Sequence, residues 1–320
     1  MRFRTAAVGV QVGPETGRAA VAHGGWRGRA AVRSFPHRWL WRGLRLLRYP
    51  GGLAGAVLVA LFATAALVPG VLTRGDPVTP NLEHRLYPPS LMAPESPYLL
   101  GADHLGRDLL TRIIYGARVT FFVSLAAVGA AMASGVALGV AAGFLRGWAD
   151  VAISAALEVM LSFPALLLAL AVASALGAGL LNITIVLALT SWPVYARIAR
   201  GATFSLMERE FIESARAIGA ANLRIMARHI LPNLLSPMIV LGTLETGRIV
   251  LAEAALSYLG VGVPLTVPSW GGMLAIGQPY LATSWWAPVF PGLAITGAVV
   301  GINLLGDWLR DYLDPHQIVR

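Results

Sequence analysis

Six stretches of the chain, residues 52–72, 119–144, 151–172, 180–196, 237–261 and 286–308, are each long and apolar enough to cross a lipid bilayer. A hydrocarbon core about 30 Å thick takes roughly 20 helical residues, and inside it every backbone N–H and C=O must be satisfied within the protein. The pattern restricts the chain to an all-α, polytopic membrane protein with six transmembrane helices. Composition agrees, since 56% of the 320 residues are hydrophobic and only 13% are charged, well away from the balance of a soluble domain.

The sequence contains 25 basic residues, all arginine, and no cysteine. Without a lysine there is no phosphate-binding loop of the GxxxxGK[ST] kind, so the chain does not hydrolyse ATP by that chemistry. Without cysteine there is no disulfide, thiolate metal site or lipid-modified cysteine. Counted along the six spans, nineteen arginines fall on one side and five on the other, with Arg248 inside the fifth span. The positive-inside rule places the richer side, with both termini and the loop at 197–236, in the cytoplasm. The net charge of +9 is concentrated on that side and suits anionic lipid headgroups rather than nucleic acid. Residues 1–36 lack hydrophobic periodicity and contain no apolar core long enough for a signal peptide. From His37 to Tyr49, arginines alternate with Trp39, Leu40, Trp41, Leu44, Leu46 and Leu47, the pattern of an amphipathic helix lying among headgroups. The expected organisation is a basic cytoplasmic tail at 1–50, a first span and external loop at 51–118, and a five-helix core at 119–320.

The loop at 197–236 is the most polar part of the core. Ser205 and Glu208 fit an S-x-x-E capping box, and Ile212, Ala215 and Ile218 or Gly219 fall on one helical face. Gly219 can take the left-handed conformation that ends a helix, Asn222 can cap the next one, and Ser236 before Pro237 can cap the fifth span. The expected form is helix, tight turn, helix, projecting from the membrane. An adhesive segment resting on headgroups is the plainer alternative, but it would not need two sets of caps.

In the external loop, Asp103 stands where an N-cap would precede Leu105, Leu109 and Ile113, giving a short amphipathic helix with an Asp108–Arg112 pair. His104 beside two carboxylates has no second histidine or cysteine near it, so no metal site is expected. Gly135, Gly139 and Gly143 make a face on which another helix can pack closely. Pro164 and Pro193 are expected to interrupt the third and fourth spans. Glu158, Glu245, Arg248 and Glu253 are the intramembrane polar candidates, since an ionised group at mid-bilayer costs about 2.5–3.5 kcal/mol. Glu245 and Arg248, three apart, can pair; Glu253 cannot reach that pair directly. Trp270, Gly271 and Gly272 read as external loop, and Trp285 and Trp286 as an interfacial belt.

Glu213, Ala215 and Gly219, followed by Leu231 and Pro232, reproduce the spacing of the EAA loop of ATP-binding-cassette (ABC) importer permeases. The phrases GADxxGRDxxxRxxYGAR at 101–118, LSFPALLLAL, SWPVYARIAR, LAEAALSYLGVGVPLTVPSWGGML and LLGDWLRDYLDPH occur in the order found in the dipeptide, oligopeptide and nickel branch. The chain therefore resembles the second permease subunit of that branch over roughly residues 41–316. Ser214 at the second alanine of EAA, Met207 in place of a basic residue and Ala155 in place of an arginine depart from the usual pattern. The resemblance implies a permease with no catalytic residue and no bound cofactor. ATP and Mg²⁺ would sit on two cytoplasmic ABC ATPases, and the other partners would be a second homologous permease and an extracytoplasmic substrate-binding protein. Membrane lipid is the remaining partner, in a bacterial inner membrane. Glu210, Glu213, Ser214, Ala215, Arg216, Gly219 and Ala220 would dock the ATPase, and Asp103, Gly106, Arg107 and Asp108 form the external motif. Di- or oligopeptides are the implied cargo. Nickel or another small solute is the alternative within the family, and an ion-coupled secondary carrier using Glu158, Glu245 or Glu253 is the alternative outside it.

Overall fold

A computed structural model describes residues 50–313. The expected basic tail and the interfacial helix at 37–49 lie outside the described residues, as does the end of the closing phrase. Among the described residues the chain is helical, with no strand beyond an isolated bridge between Ala102 and Asp108. Five helices are long and apolar enough to span a bilayer: α1 (Pro50–Leu67), α2 (Leu109–Leu145), α5 (Leu180–Met207), α7 (Asn222–Tyr258) and α9 (Trp286–Leu313). A pair, α3 (Gly147–Ser162) and α4 (Ala165–Leu176), bent by 92°, makes a sixth if it is counted as one span. Two of the short helices are α6 (Glu210–Ala217) and α8 (Trp270–Gly277).

Small residues decide where the helices meet. A Cβ added to Gly135, Gly139 or Gly143 would lie 2.5 Å from Trp192 O, 2.4 Å from Ala196 O or 2.7 Å from Thr203 Cβ. The glycine stripe of α2 is therefore the seat of α5 within the same chain. α1 meets α9 in the same way, with Gly55 against the Leu305 backbone and Gly301 against Leu58. Three apolar cores follow: one joining α1, α2, α7, α8 and α9, one joining α2, α4, α5 and α7, and one joining α2, α5 and α7 to the 210–230 segment.

Several expected boundaries are corrected. α2 and α7 each run 37 residues, about 55 Å at 1.5 Å per residue, so each extends beyond the bilayer. The separate helix expected before the second span is the first part of α2. Its N-cap is Asp108, whose carboxylate accepts from the Leu110 and Thr111 amides, and not Asp103. Ser205 belongs to the last turn of α5 and bonds back to Gly201 O, so it starts no helix. Asn222 is the first residue of α7 rather than its cap. Pro237 lies inside α7, not at its start. A π turn over Met226–Ile230 absorbs the irregularity ahead of Pro232, and the Asn233 side chain donates to His229 O at 2.6 Å.

The two span-interrupting prolines behave differently. Pro164 breaks its span, with Phe163 before it extended at φ −95°, ψ 142°, the conformation a following proline favours. Pro193 lies buried within α5, which continues through it. The third span has few buried residues to hold it straight, Ala149, Leu157, Ala169 and Ala173, whereas α5 is packed along the α2 glycine face. Trp270 is not loop: it opens α8, is buried, and its indole donates to Ile113 O at 2.8 Å. Trp286 is also buried, donating to Ala102 O at 3.2 Å, while Trp285 stays exposed.

Candidate functional site

The loop between α5 and α7 is a rooted hairpin. α6 has no side-chain cap; it begins on the Arg209 main chain, with Glu210 and Glu213 in its first turn and Arg216 in its last, charges that complement the helix dipole. Its end is closed by two bonds, Ala220 N to Ala215 O at 3.0 Å and Gly219 N to Arg216 O at 2.9 Å, with Gly219 at φ +79°. This is the Schellman arrangement, which needs a left-handed residue at that position. Ile212 and Ala215 point inward and join Ile225, Ile230, Phe144 and Met207 in one apolar core. The Arg216 guanidinium reaches the Met207 sulfur at 3.7 Å, and Phe211 and His229 rings lie 6.2 Å apart across the hairpin.

The expected docking residues divide on this frame. Glu210, Glu213, Ser214, Arg216 and Gly219 are exposed, Ala220 is half-buried, and Ala215 is buried against its own chain. Ile218 does not share the inward face of Ile212. It is 85% exposed, with Leu223 at 73% and Phe211 at 42%. Phe211 and Leu223 were not singled out from the sequence, and Ile218 was expected on the inward face, although Leu223 opening the next helix is visible there. No neighbouring atom lies within 4 Å of where a Gly219 Cβ would be, so the outer surface of the turn is open.

Within the membrane-spanning helices, Glu245 and Arg248 pair as expected, with Arg248 Nε donating to Glu245 Oε2 at 2.7 Å. Arg248 Nη2 also lies 3.4 Å from Ser191 Oγ on α5. Glu253 is fully buried and has no ion-pair partner among the described residues. Its two oxygens accept from Thr120 of α2 and from Ser257, each at 2.9 Å. It is a hydrogen-bonded tie between α2 and α7. Glu158 is exposed on α3 and forms no salt bridge among the described residues. The expected intramembrane set is thus three separate places, and Thr120, Ser191 and Ser257 are polar partners that only the fold identifies.

The external motif is a closed turn. Asp103 Oδ1 accepts from the Leu105 and Arg107 amides at 2.8 and 3.0 Å, and Oδ2 accepts from Arg107 Nε at 2.7 Å. Arg112 pairs with Asp103 at 3.4 Å, not with Asp108, and donates from Nη1 to Pro77 O at 2.7 Å. Gly106, at φ +75°, passes so close to Asn81 that a Cβ would lie 1.6 Å from its carbonyl oxygen. His104 is half-buried rather than solvent-exposed, stacked on Tyr280 at 6.3 Å. Burial pushes its imidazole below the ordinary histidine range, outweighing the opposing Asp103 carboxylate.

Residues 135–319 match the family described as the binding-protein-dependent transport system inner membrane component. A putative peptide transport system permease protein of Brucella abortus is 39% identical over 85% of this chain and 90% of its own length. A dipeptide transport system permease protein of Alkalihalophilus pseudofirmus is 40% identical over 82% and 85%. A glutathione transport system permease protein of Escherichia coli is 36% identical over 91% and 97%. The fold is also that of the MetNI methionine ABC transporter solved in inward-facing conformations, with a TM-score of 0.51 and 18% identity over 63% of this chain and 96% of the other. A family match over more than half the chain and relatives this similar along most of their length leave one assignment: the chain belongs to the binding-protein-dependent inner membrane components and is a permease subunit of an ABC importer, not an enzyme.

Proposed function

We propose that this permease forms half of a translocation path for di- or oligopeptides and takes its energy from cytoplasmic ATPases gripped by the α6 hairpin. The observation that carries the reading is the hairpin itself. It is closed by backbone bonds, shares its core with α2, α5 and α7, and presents Phe211, Ile218 and Leu223 outward among Glu210, Glu213 and Arg216. Exposed apolar side chains rimmed by charge mark a protein contact. A hairpin sharing a core with three spans moves with them, because packed interiors transmit displacement rather than absorb it. Closure of a pair of ATPases, bound to ATP and Mg²⁺, would therefore tilt the bundle. Glu213 is the partner for a basic group in the ATPase groove, and the open turn at Gly219 permits close approach.

The full assembly is two permeases, two ATPases and an extracytoplasmic binding protein, in a bacterial inner membrane with both termini in the cytoplasm. The exposed apolar side chains of α3, α4 and the break between them, among them Val159, Leu167 and Phe163, supply a contact for the second permease. Peptide is favoured over nickel because the similar permeases carry peptide, dipeptide and glutathione names. The test is affinity purification in mild detergent of the wild type, Glu213→Arg and Ile218→Asp, with co-purifying chains identified by mass spectrometry. An ATPase retained by the wild type and lost from both variants, with membrane insertion unchanged, supports the docking reading. Full retention in both variants would overturn it.

A further inference from the structure

Arg248 lies midway along the apolar stretch 237–261, yet its side chain is 43% exposed, whereas Glu245 beside it is 13% exposed. Charged groups at that depth face a bundle interior or water, not lipid. Glu245 occupies Nε and Nη2 through a single oxygen, Oε2. Nη1 has no hydrogen-bond partner among the described residues. On the adjoining face of α5, one turn beyond Ser191, the Tyr195 hydroxyl is buried without a partner among the described residues. A buried hydroxyl left unpaired is destabilising, so the site is incomplete as it stands. Its spare charged donor is Arg248 Nη1, on the exposed side of the pair.

We propose that the α5–α7 face bearing Arg248 borders the aqueous translocation path and that Arg248 receives the terminal carboxylate of the passing cargo. Glu245 holds the guanidinium while the path is empty. The planar fork of arginine suits a carboxylate, and a cargo carboxylate supplies an acceptor for the unpartnered Nη1. The inference rests on the peptide reading above and adds the cargo group that the permease itself recognises.

The test uses the complete importer in proteoliposomes with its binding protein, comparing a labelled tripeptide with its C-terminal amide. Arg248→Gln is measured beside Arg248→Gln/Glu245→Gln, because the single change leaves Glu245 without its cation. Uptake of the free acid should fall about tenfold in both, on the scale of one charge-assisted hydrogen bond, while uptake of the amide stays within about twofold. Equal losses for both peptides, or no loss for either, would overturn the assignment. A wild-type complex that carries neither peptide would overturn the peptide reading and this assignment with it. Because the chain has no cysteine, Leu251→Cys adds a separate readout. Leu251 is 50% exposed and lies three residues from Arg248. A membrane-impermeant, charged thiol reagent should label it, and failure to label in every nucleotide state would show that the face is dry.

Discussion

At the scale of single residues, the external turn carries a pH dependence whose sign is fixed. Burial holds the His104 imidazole in its neutral form, so its folded-state pKa lies below the unfolded value, which is about 6.5. The stabilisation is complete above that value and is lost as pH falls through the folded pKa. Amides of residues 101–108, corrected for intrinsic exchange rates, should lose protection on acidification from pH 7.5 to 5. His104→Gln should flatten the dependence, and a profile that persists in the variant would assign it to another group. Gly219 gives a second test. Its φ of +79° costs an ordinary L-residue about 1–2 kcal/mol, with asparagine less penalised. Gly219→Ala should therefore loosen the Ala220–Ala215 closure, read as faster exchange at the Ala220 amide. Gly219→Asn should lie between alanine and wild type, and equal protection in all three would remove the conformational argument.

At the scale of elements, the α2–α5 contact depends on how near the backbones come. A side chain at Gly139 would drive a carbon to 2.4 Å from Ala196 O, whereas Gly129 on the same helix has nothing within 4 Å. Overpacking typically costs about 1–3 kcal/mol. Gly139→Leu should therefore lower the thermal midpoint of the purified protein by several degrees, with Gly129→Leu close to wild type. Similar midpoints for the two would place the glycine stripe outside the packing. The existence of the spans was readable from hydrophobic length alone, because the bilayer imposes it. Their ends were not, because end signals are local while continuation is a tertiary decision. Asp103 has the look of an N-cap, but two arginines and its own loop amides claim its carboxylate. Ser205 and Ser236 fit capping rules, yet packing carries α5 and α7 through them. Pro193 and Pro164 present similar local signals, and only the neighbouring helix distinguishes a tolerated proline from a break. The chemistry of the candidate site was partly readable: Glu213, Arg216 and Gly219 by spacing, and the Glu245–Arg248 pair by its interval of three. Thr120, Ser191 and Ser257 became partners through contacts between residues far apart in sequence.

At the scale of the molecule, the arrangement sets two polar ends against each other. One is the 210–230 hairpin. The other is the 73–108 segment, folded over α8 and the start of α9 through the Trp286–Ala102 bond and the Gly101 contact with Trp286. If the bent α3–α4 pair crosses as one span, these ends lie on opposite sides of the membrane, since the two segments are then separated by three crossings: α2, the pair and α5. The arginine excess predicts that the hairpin is on the cytoplasmic side. A chain without cysteine allows the assignment to be tested directly. Leu91→Cys, at a position 90% exposed in the outer segment, should react with an impermeant maleimide in intact spheroplasts. Ser214→Cys, exposed on α6, should react only after the cells are opened. The reverse pattern would turn the hairpin away from cytoplasmic ATP, and would remove the function proposed for it whatever the local geometry. Labelling of both from outside would mean that the bent pair fails to cross. The two segments would then lie two crossings apart, which the 92° break at Pro164 makes the alternative most worth excluding.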